Sequence, residues 1–391
     1  ADLGGDNRGA RKSENIFEIE TGVSIAICVR APTLAHKGCT VSYSEVTGTA
    51  AEKLQALTVG DLFHLSSWKD CGSSSDVFLP DGSGAYSSWP RLSDLFPWQH
   101  SGLQFKRLWP IGESRELLEE RWRALVSLPR TKRAQAFIET EGRLVASAPR
   151  PVPARKFTGI ADLGKSTPVP RLLRYCYRSL DRQWCIADER VADRLRPSLV
   201  ATLGPKQVFA TTLMSKPLGQ GPAISVTSCL PDMDVFCNRG AKDVIPLWRD
   251  AGARRPNVTG GLLEKLSARY GFDVRSEDLF CYCVAVLASP FFASMFEAEL
   301  ASPGVRVPIA CDAETFLRGA GLGARVVWLQ TFGERWLGRA RNGAPMITGN
   351  ARVKTPIPDT PASYPKTYAY DAASSTLTVG EGMLVGVAPE V

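Results

Sequence analysis

The spacing of apolar residues changes along this chain, and the change limits the folds open to it. Strand-like runs of six or seven residues occur at 172–177, 207–213 and 223–229. Helical spacing follows at 259–270, at 276–300 with a break near Pro290, and at 312–336, where Asp312 is the expected cap. Gly319, Gly321 and Gly323 in the last segment predict close packing against a neighbouring element. Strands followed by helices predict a mixed α+β fold.

The first part of the chain carries weaker signals of both kinds. Strand patterns occupy 15–21, 23–30 and 39–46, and a short helix is predicted over 49–57. A second helix is predicted from its cap at Ser114 to about residue 128. Segments rich in Gly, Ser and Pro at 70–90, 145–170 and 340–370 predict loops or connectors.

Length and composition exclude several classes of protein. The 391 residues are enough for two or three domains, each with its own core. Hydrophobic residues make up 44% and charged residues 22%, which is typical of an ordered globular chain. No run reaches the roughly 18 apolar residues of a membrane helix. The first residues lack the apolar core of a secretory signal, so the ten cysteines are expected to be reduced in the cytoplasm and to be mostly buried thiols.

Positive charge is concentrated in one stretch of the chain. Residues 106–206 contain 21 Lys and Arg against 11 Asp and Glu, whereas the whole chain has a formal net charge of +7. Arginine predominates in this basic region, and its planar set of donors suits phosphate oxygens and guanine edges. Nucleic acid is therefore the predicted partner. The alternative is an arginine-rich, solvated surface without a partner.

The densest cluster of this basic region spans 174–184 and predicts a hairpin with its turn at 179–181. Alternation would place the arginines on one face and the rings on the other. Arg178 and Arg182 would then reach guanine or phosphate, and Tyr177 would pack on a sugar or base. The alternative is an Arg178–Asp181 or Arg182–Asp188 ion pair with Trp184 in the core. Both interpretations can hold for different residues.

Patterns for catalysis or metal binding are largely missing. The three histidines precede the basic region and lack metal-ligand spacing, and the cysteines form no paired CxxC knuckles. The segment 163–167 ends like a phosphate-binding loop but lacks the first glycine. Asp162 and Asp188 are weak candidates for a nuclease acid pair. We therefore predict no catalytic residue, no metal and no cofactor in this chain.

At 177–184 the chain also resembles a known family. The segment matches YRxFDxxW, with leucine at 180 in place of phenylalanine, and Asp188 and Arg196-Pro197 follow in order. This is similar to the C-terminal target recognition, or specificity, region of type ISP restriction-modification enzymes and single-chain adenine-N6 DNA methyltransferases. Further matches in family order lie at 14–27, 48–54, 89–97, 105–110, 256–258, 278–290, 306–308, 370–371 and 377–389.

The resemblance implies a sequence-specific DNA recognition domain that positions a target adenine for methylation. It implies methyltransferase and motor domains, in cis or in trans, and S-adenosylmethionine in the parent enzyme; the cofactor and catalytic motifs are not in this sequence. The expected organisation is a methyltransferase remnant with terminal strands of its sheet (1–60), a linker (61–100) and a mixed recognition domain (101–391). Within that domain we expect a basic part (101–240), a helical part (241–340) and a C-terminal loop and strand pair (341–391).

The expected DNA-binding residues come from the hairpin and the other basic matches. They are Arg174, Tyr177, Arg178, Asp181, Arg182, Trp184, Arg196, Lys106 and Arg107. Two alternatives stay open at this point. One is a stand-alone nucleic-acid-modifying enzyme, a nuclease or methyltransferase, and the other is a protein-binding scaffold whose basic region meets an acidic partner.

Overall fold

A computed structural model describes much of the chain, which divides into two compact units, Ala1–Arg335 and Trp336–Val391. The described residues are 16, 25–28, 41–59, 68–70, 84–146, 158–213, 222–235, 243–300, 303–335, 350–358, 360–363 and 365–389. The predicted strands over 15–21 and 23–30 fall largely outside them, as do most of the loop over 70–90 and the middle of the connector over 145–170. The proposed boundaries at residues 60 and 100 stay predictions.

Helices and strands are both present, which confirms the predicted α+β class. The helices are α1 (Ala50–Val59), α2 (Leu92–Leu95), α3 (Arg115–Ser127), α4 (Arg130–Phe137), α5 (Pro197–Val200), α6 (Leu262–Tyr270), α7 (Ser276–Leu287), α8 (Pro290–Met295), α9 (Glu297–Leu300) and α10 (Ala313–Gln330). The strands are β1 (Ser42–Tyr43), β2 (Lys69–Asp70), β3 (Ile111–Gly112), β4 (Leu172–Arg178), β5 (Asp181–Ile186), β6 (Phe209–Thr212), β7 (Ser225–Thr227), β8 (Leu230–Pro231), β9 (Asp243–Pro246), β10 (Arg352–Thr355), β11 (Tyr368–Asp371), β12 (Thr376–Val379) and β13 (Gly382–Val385).

Two small sheets form the centre of the first unit. One has the strand order β3-β5-β4-β8 and the other β7-β6-β9. Leu103, Tyr175, Phe209, Leu230 and Val244 are buried in one apolar cluster that joins the two sheets. A second cluster packs α3 and α4 against the start of β4 and the end of β5. Both faces of the hairpin are therefore covered at that end, which fixes its position.

The helical part depends on close contact between α7 and α10. Nine of the twelve residues of α7 are buried, including Cys281 and Cys283. A β-carbon at Gly323 of α10 would lie 1.7 Å from the Cys281 carbonyl oxygen, and one at Gly319 would lie 2.7 Å from the Tyr282 ring. The prediction that these glycines serve close packing is confirmed at both positions. Gly321 differs, since nothing lies within 4 Å of its β-carbon position.

Helix ends largely follow the predicted caps. Ser114 accepts a hydrogen bond from the Leu117 amide (3.2 Å) and Asp312 accepts one from the Thr315 amide (2.8 Å). The expected start of α6 at Thr259 is wrong, because Gly261 at φ 75° delays the helix to Leu262. The break at Pro290 is confirmed, but a further break at Phe296 separates α8 from α9. Helix α10 ends at Gln330, six residues before the expected end.

The second unit contains one antiparallel sheet with the order β10-β13-β12-β11. Strands β12 and β13 are the pair expected near the C-terminus, and β11 pairs with β12 from Tyr368↔Val379 to Asp371↔Thr376. All four residues of β10 and of β11 are exposed. Among the described helices of the chain, none combines the length and the apolar character needed to span a bilayer.

Candidate nucleic-acid interface

The predicted hairpin is present as β4 and β5. Arg178 pairs with Asp181 across its end, so the turn consists of Ser179 and Leu180, and Leu180 has a left-handed backbone (φ 63°). In this register Arg174 lies opposite Trp184. Side chains directly opposite each other share one face of a sheet. The expectation that cations and rings occupy opposite faces is therefore wrong for Trp184, whose ring lies on the arginine face.

A tryptophan flanked by two arginines lies at the middle of this face. The guanidinium carbon of Arg174 lies 5.0 Å from the centroid of the Trp184 ring, and that of Arg115 lies 5.2 Å from it. Gly112 of β3 is paired with Trp184, and α3 begins three residues later at Arg115. In the part of the chain that the structure describes, no carboxylate lies within 4.0 Å of either guanidinium.

Arg182 joins the hairpin to the segment that follows α10. Its guanidinium forms an ion pair with Glu334 and lies 3.9 Å from the centroid of the Phe332 ring. Glu334 also accepts a hydrogen bond from the Ser228 hydroxyl (2.6 Å). Partial burial acts to raise the pKa of Glu334, but the Ser228 hydrogen bond and the charge of Arg182 outweigh it and lower the pKa. Glu334 is therefore ionised at neutral pH and neutralises Arg182.

Arg178 is held by a buried carboxylate. It donates to Asp232 (3.0 Å), and its guanidinium carbon lies 4.0 Å from the centroid of the Tyr177 ring. The hydroxyl of Tyr175 also donates to Asp232. Burial raises the pKa of Asp232 and of Tyr175. The ion pair between Arg178 and Asp232 therefore links the hairpin to the residue that follows β8. The Arg178 side chain is 37% exposed.

The ion pairs considered for the hairpin differ from those observed. Asp181 accepts a hydrogen bond from the Gln183 side chain (2.7 Å) and forms no ion pair with Arg178. Asp188 pairs with Arg190 at 2.7 Å and not with Arg182. The alternative in which ion pairs hold the hairpin is therefore correct about the kind of interaction and wrong about the residues that form it. The actual partners, Asp232 and Glu334, are distant in the sequence.

The three remaining predicted DNA-binding residues, Lys106, Arg107 and Arg196, lie in different environments. Arg107 is buried, with 3% of its side chain exposed; it pairs with Asp193 at 3.4 Å and lies 4.2 Å above the Phe137 ring. Burial lowers its pKa, partly opposed by the charge of Asp193. Lys106 is exposed. Arg196 is half-buried on a left-handed backbone (φ 58°), and its side chain donates to the Gly102 carbonyl (3.3 Å).

The structure therefore brings together Arg174, Arg182 and Trp184, and it adds residues that the sequence patterns missed. Arg115 belongs to the basic region, but its place beside Trp184 depends on the turn from β3 into α3. Phe332 and Glu334 carry no sequence signal for this site, since they lie some 150 residues from Arg182. The pair Lys106 and Arg107 separates, with one side chain at the surface and one in the core.

Nothing in the described residues resembles a reaction centre. No group of three or more His, Cys, Asp or Glu there is arranged to hold a metal ion. The seven described cysteines are free, and five of them are buried, as predicted for most, whereas Cys28 and Cys311 are exposed. The buried ones are Cys176, Cys185, Cys229, Cys281 and Cys283. Burial raises the pKa of the Cys176 thiol to about 12, so the reactive thiolate is not formed at neutral pH.

A comparison with protein families identifies a match over most of the chain. The family model of the Type ISP C-terminal specificity domain matches residues 94–391. No curated protein matches the chain.

Among solved structures, three similar ones contain DNA. The cryoEM structure of a DrdV–DNA complex is 16% identical with a TM-score of 0.49, covering 87% of this chain and 35% of the other. The Type ISP enzyme LlaBIII bound to DNA is 14% identical with a TM-score of 0.49, covering 90% and 23%. A nuclease-deletion mutant of LlaGI with a DNA substrate mimic is 13% identical with a TM-score of 0.45, covering 90% and 27%. The chain thus spans about a third or less of each of these proteins.

Proposed function

This chain belongs to the family of Type ISP C-terminal specificity domains, and on that premise we propose that it binds double-stranded DNA and reads its base sequence. The domain grips the DNA around a target adenine, which a methyltransferase part, in cis or in trans, flips out of the duplex and methylates. S-adenosylmethionine supplies the methyl group there, and the proposal assigns it no residue of this chain. The proposed place of action is the cytoplasm.

The arrangement of Arg115, Trp184 and Arg174 carries this proposal. A guanidinium group that lies over an aromatic ring, and is not paired with a carboxylate, keeps its net positive charge. The N–H donors at its edge stay available for another acceptor. Such donors suit phosphate oxygens, which account for half or more of the hydrogen bonds in protein–DNA complexes. Arg182 lies on the same face of the hairpin, since its partner across the strands is Cys176, two residues from Arg174. The hairpin therefore presents a row of cations to one surface.

Contacts to phosphate and contacts to a base affect DNA binding in different ways. A phosphate contact by Arg115 or Arg174 fixes the position of the domain on any DNA, whereas a bidentate contact to guanine selects a base. Loss of a phosphate contact weakens binding to all sequences by a similar factor. Loss of a guanine contact relaxes recognition at one position. Comparing several duplexes therefore shows which role each arginine has.

A double substitution tests the proposal. In Arg115→Ala/Arg174→Ala we expect affinity for labelled duplex DNA to fall about tenfold at 100 mM salt, with the slope of log K against log salt reduced by about 1.8. The control is Arg123→Ala/Arg254→Ala, which removes two exposed arginines elsewhere. Fluorescence anisotropy between 50 and 200 mM salt measures both quantities. Equal affinity and slope for the two double variants would overturn the proposal.

A further inference from the structure

Leu180 occupies the tip of the hairpin in a conformation that leucine disfavours. Its φ is 63°, and its side chain is 57% exposed. Two-residue hairpin turns use glycine, asparagine or aspartate where φ is positive, because a bulky β-carbon crowds the backbone there. The exposed side chain of Leu180 gains little from burial in return. The fold itself therefore gives no reason for leucine at this position.

Phe332, which contacts Arg182, repeats the same combination. It has φ 56° directly after α10, and it is 50% exposed although it is one of the largest apolar side chains. Its ring contacts the Arg182 guanidinium, which in turn lies two residues beyond Leu180 on the hairpin. One arginine thus relates two exposed apolar residues on left-handed backbone: Phe332 contacts its guanidinium, and Leu180 precedes it by two residues on the hairpin. Strained residues of this kind are concentrated at binding sites.

We propose that Leu180 and Phe332 form an apolar tip beside Arg182 that enters a groove of the bound duplex and packs against base edges. The proposal rests on the function proposed above and specifies which side chains reach the bases. Apolar side chains contact thymine methyl groups in the major groove and insert between base steps in the minor groove. A double helix suits this surface because Arg115 and Arg174, on the same hairpin surface, have no carboxylate within 4.0 Å in the described part of the chain and keep their positive charge.

Substitutions that suit a left-handed backbone separate this role from a structural one. Leu180→Asn removes the apolar side chain and places a residue that tolerates positive φ. Ile138→Asn is the matched control, because Ile138 also has positive φ (56°) and is 54% exposed, but it ends α4 away from the hairpin. Leu180→Met keeps an apolar tip. All three are made in the full 391-residue chain.

The measurement is affinity for labelled duplexes that the wild-type chain enriches from a randomised pool, together with the melting temperature. We expect Leu180→Asn to bind about fivefold or more weakly, as for loss of an apolar base contact, with an unchanged or higher melting temperature. Ile138→Asn and Leu180→Met should bind as the wild type does. The same duplexes are titrated with Arg115→Ala/Arg174→Ala.

These variants distinguish the apolar tip from the function on which it rests. Undiminished binding by Leu180→Asn, with weak binding by the double arginine variant, would overturn the apolar tip and leave DNA recognition in place. A melting temperature lowered in Leu180→Asn but not in Ile138→Asn would assign Leu180 to the fold and also overturn it. Absence of duplex binding by the wild-type chain would overturn both proposals.

Discussion

The guanidinium of Arg182 on β5 forms an ion pair with the carboxylate of Glu334, 152 residues further along the chain. Because Phe332 supports the same guanidinium, the end of α10 holds Arg182 at the surface of the hairpin. Glu334 also sets the charge of the candidate interface, since it cancels one of its cations. The position and the charge of one proposed DNA contact are thus controlled by a segment remote in sequence.

Removing this negative charge should strengthen binding to DNA. In Glu334→Gln the amide keeps an acceptor for Arg182 and a donor for the Ser228 hydroxyl, so the geometry is retained while the charge is lost. We expect higher affinity for all duplexes and a salt slope steeper by about 0.9, the value for one more phosphate contact. Anisotropy titrations between 50 and 200 mM salt measure both.

A charge-matched control separates this effect from general electrostatics. Glu264→Gln removes an exposed carboxylate from α6, outside the hairpin surface. Its effect on affinity should be smaller than that of Glu334→Gln, because charges separated by more than about 8 Å are largely screened at physiological salt. Equal gains for the two variants would show that Glu334 has no specific relation to the bound DNA.

The sequence predicts local features well and long-range partners poorly. Alternating side chains with a short turn were enough to predict the β4–β5 hairpin, and single polar residues marked the starts of α3 and α10. The partners Asp232 and Glu334 were missed, because a pattern within ten residues of an arginine contains no information on which distant carboxylate approaches it. The wrong ion pairs with Asp181 and Asp188 have the same cause.

Burial of charged residues was equally beyond sequence reasoning. Lys106 and Arg107 are chemically similar neighbours, but one side chain faces solvent and the other is enclosed by Phe137, Val191 and Asp193. Lys106 and Arg107 lie in a bend of the backbone, and composition does not say which of two adjacent side chains turns toward the core. Counting charges therefore overstated the number of cations available to DNA.

Arg107 should act on stability and not directly on DNA. Its guanidinium donates to the Val191 carbonyl (3.0 Å) and pairs with Asp193, and both side chains of the pair are 3% exposed. Removing one member of a buried ion pair leaves the other uncompensated, so Arg107→Ala should lower the free energy of unfolding by about 3–5 kcal/mol. Urea unfolding followed by tryptophan fluorescence measures this loss.

Lys106→Ala is the neighbouring control. Its side chain is exposed, so the free energy of unfolding of this variant should stay within about 0.5 kcal/mol of the wild-type value. Any phosphate contact that Lys106 makes is lost. A normal unfolding midpoint for Arg107→Ala combined with weaker DNA binding would contradict the structural role and restore Arg107 to the interface.

Two glycines of α10 should respond to alanine in opposite directions. A β-carbon at Gly323 meets the Cys281 carbonyl oxygen at 1.7 Å, and a backbone atom inside a buried helix cannot turn aside as a flexible side chain can. Gly323→Ala should therefore separate α7 from α10 and cost about 3 kcal/mol or more. Gly321→Ala meets nothing within 4 Å and should add up to about 1 kcal/mol from helix propensity. Urea unfolding followed by circular dichroism compares the two, and a neutral Gly323→Ala would show that α7 and α10 are not in close contact in solution.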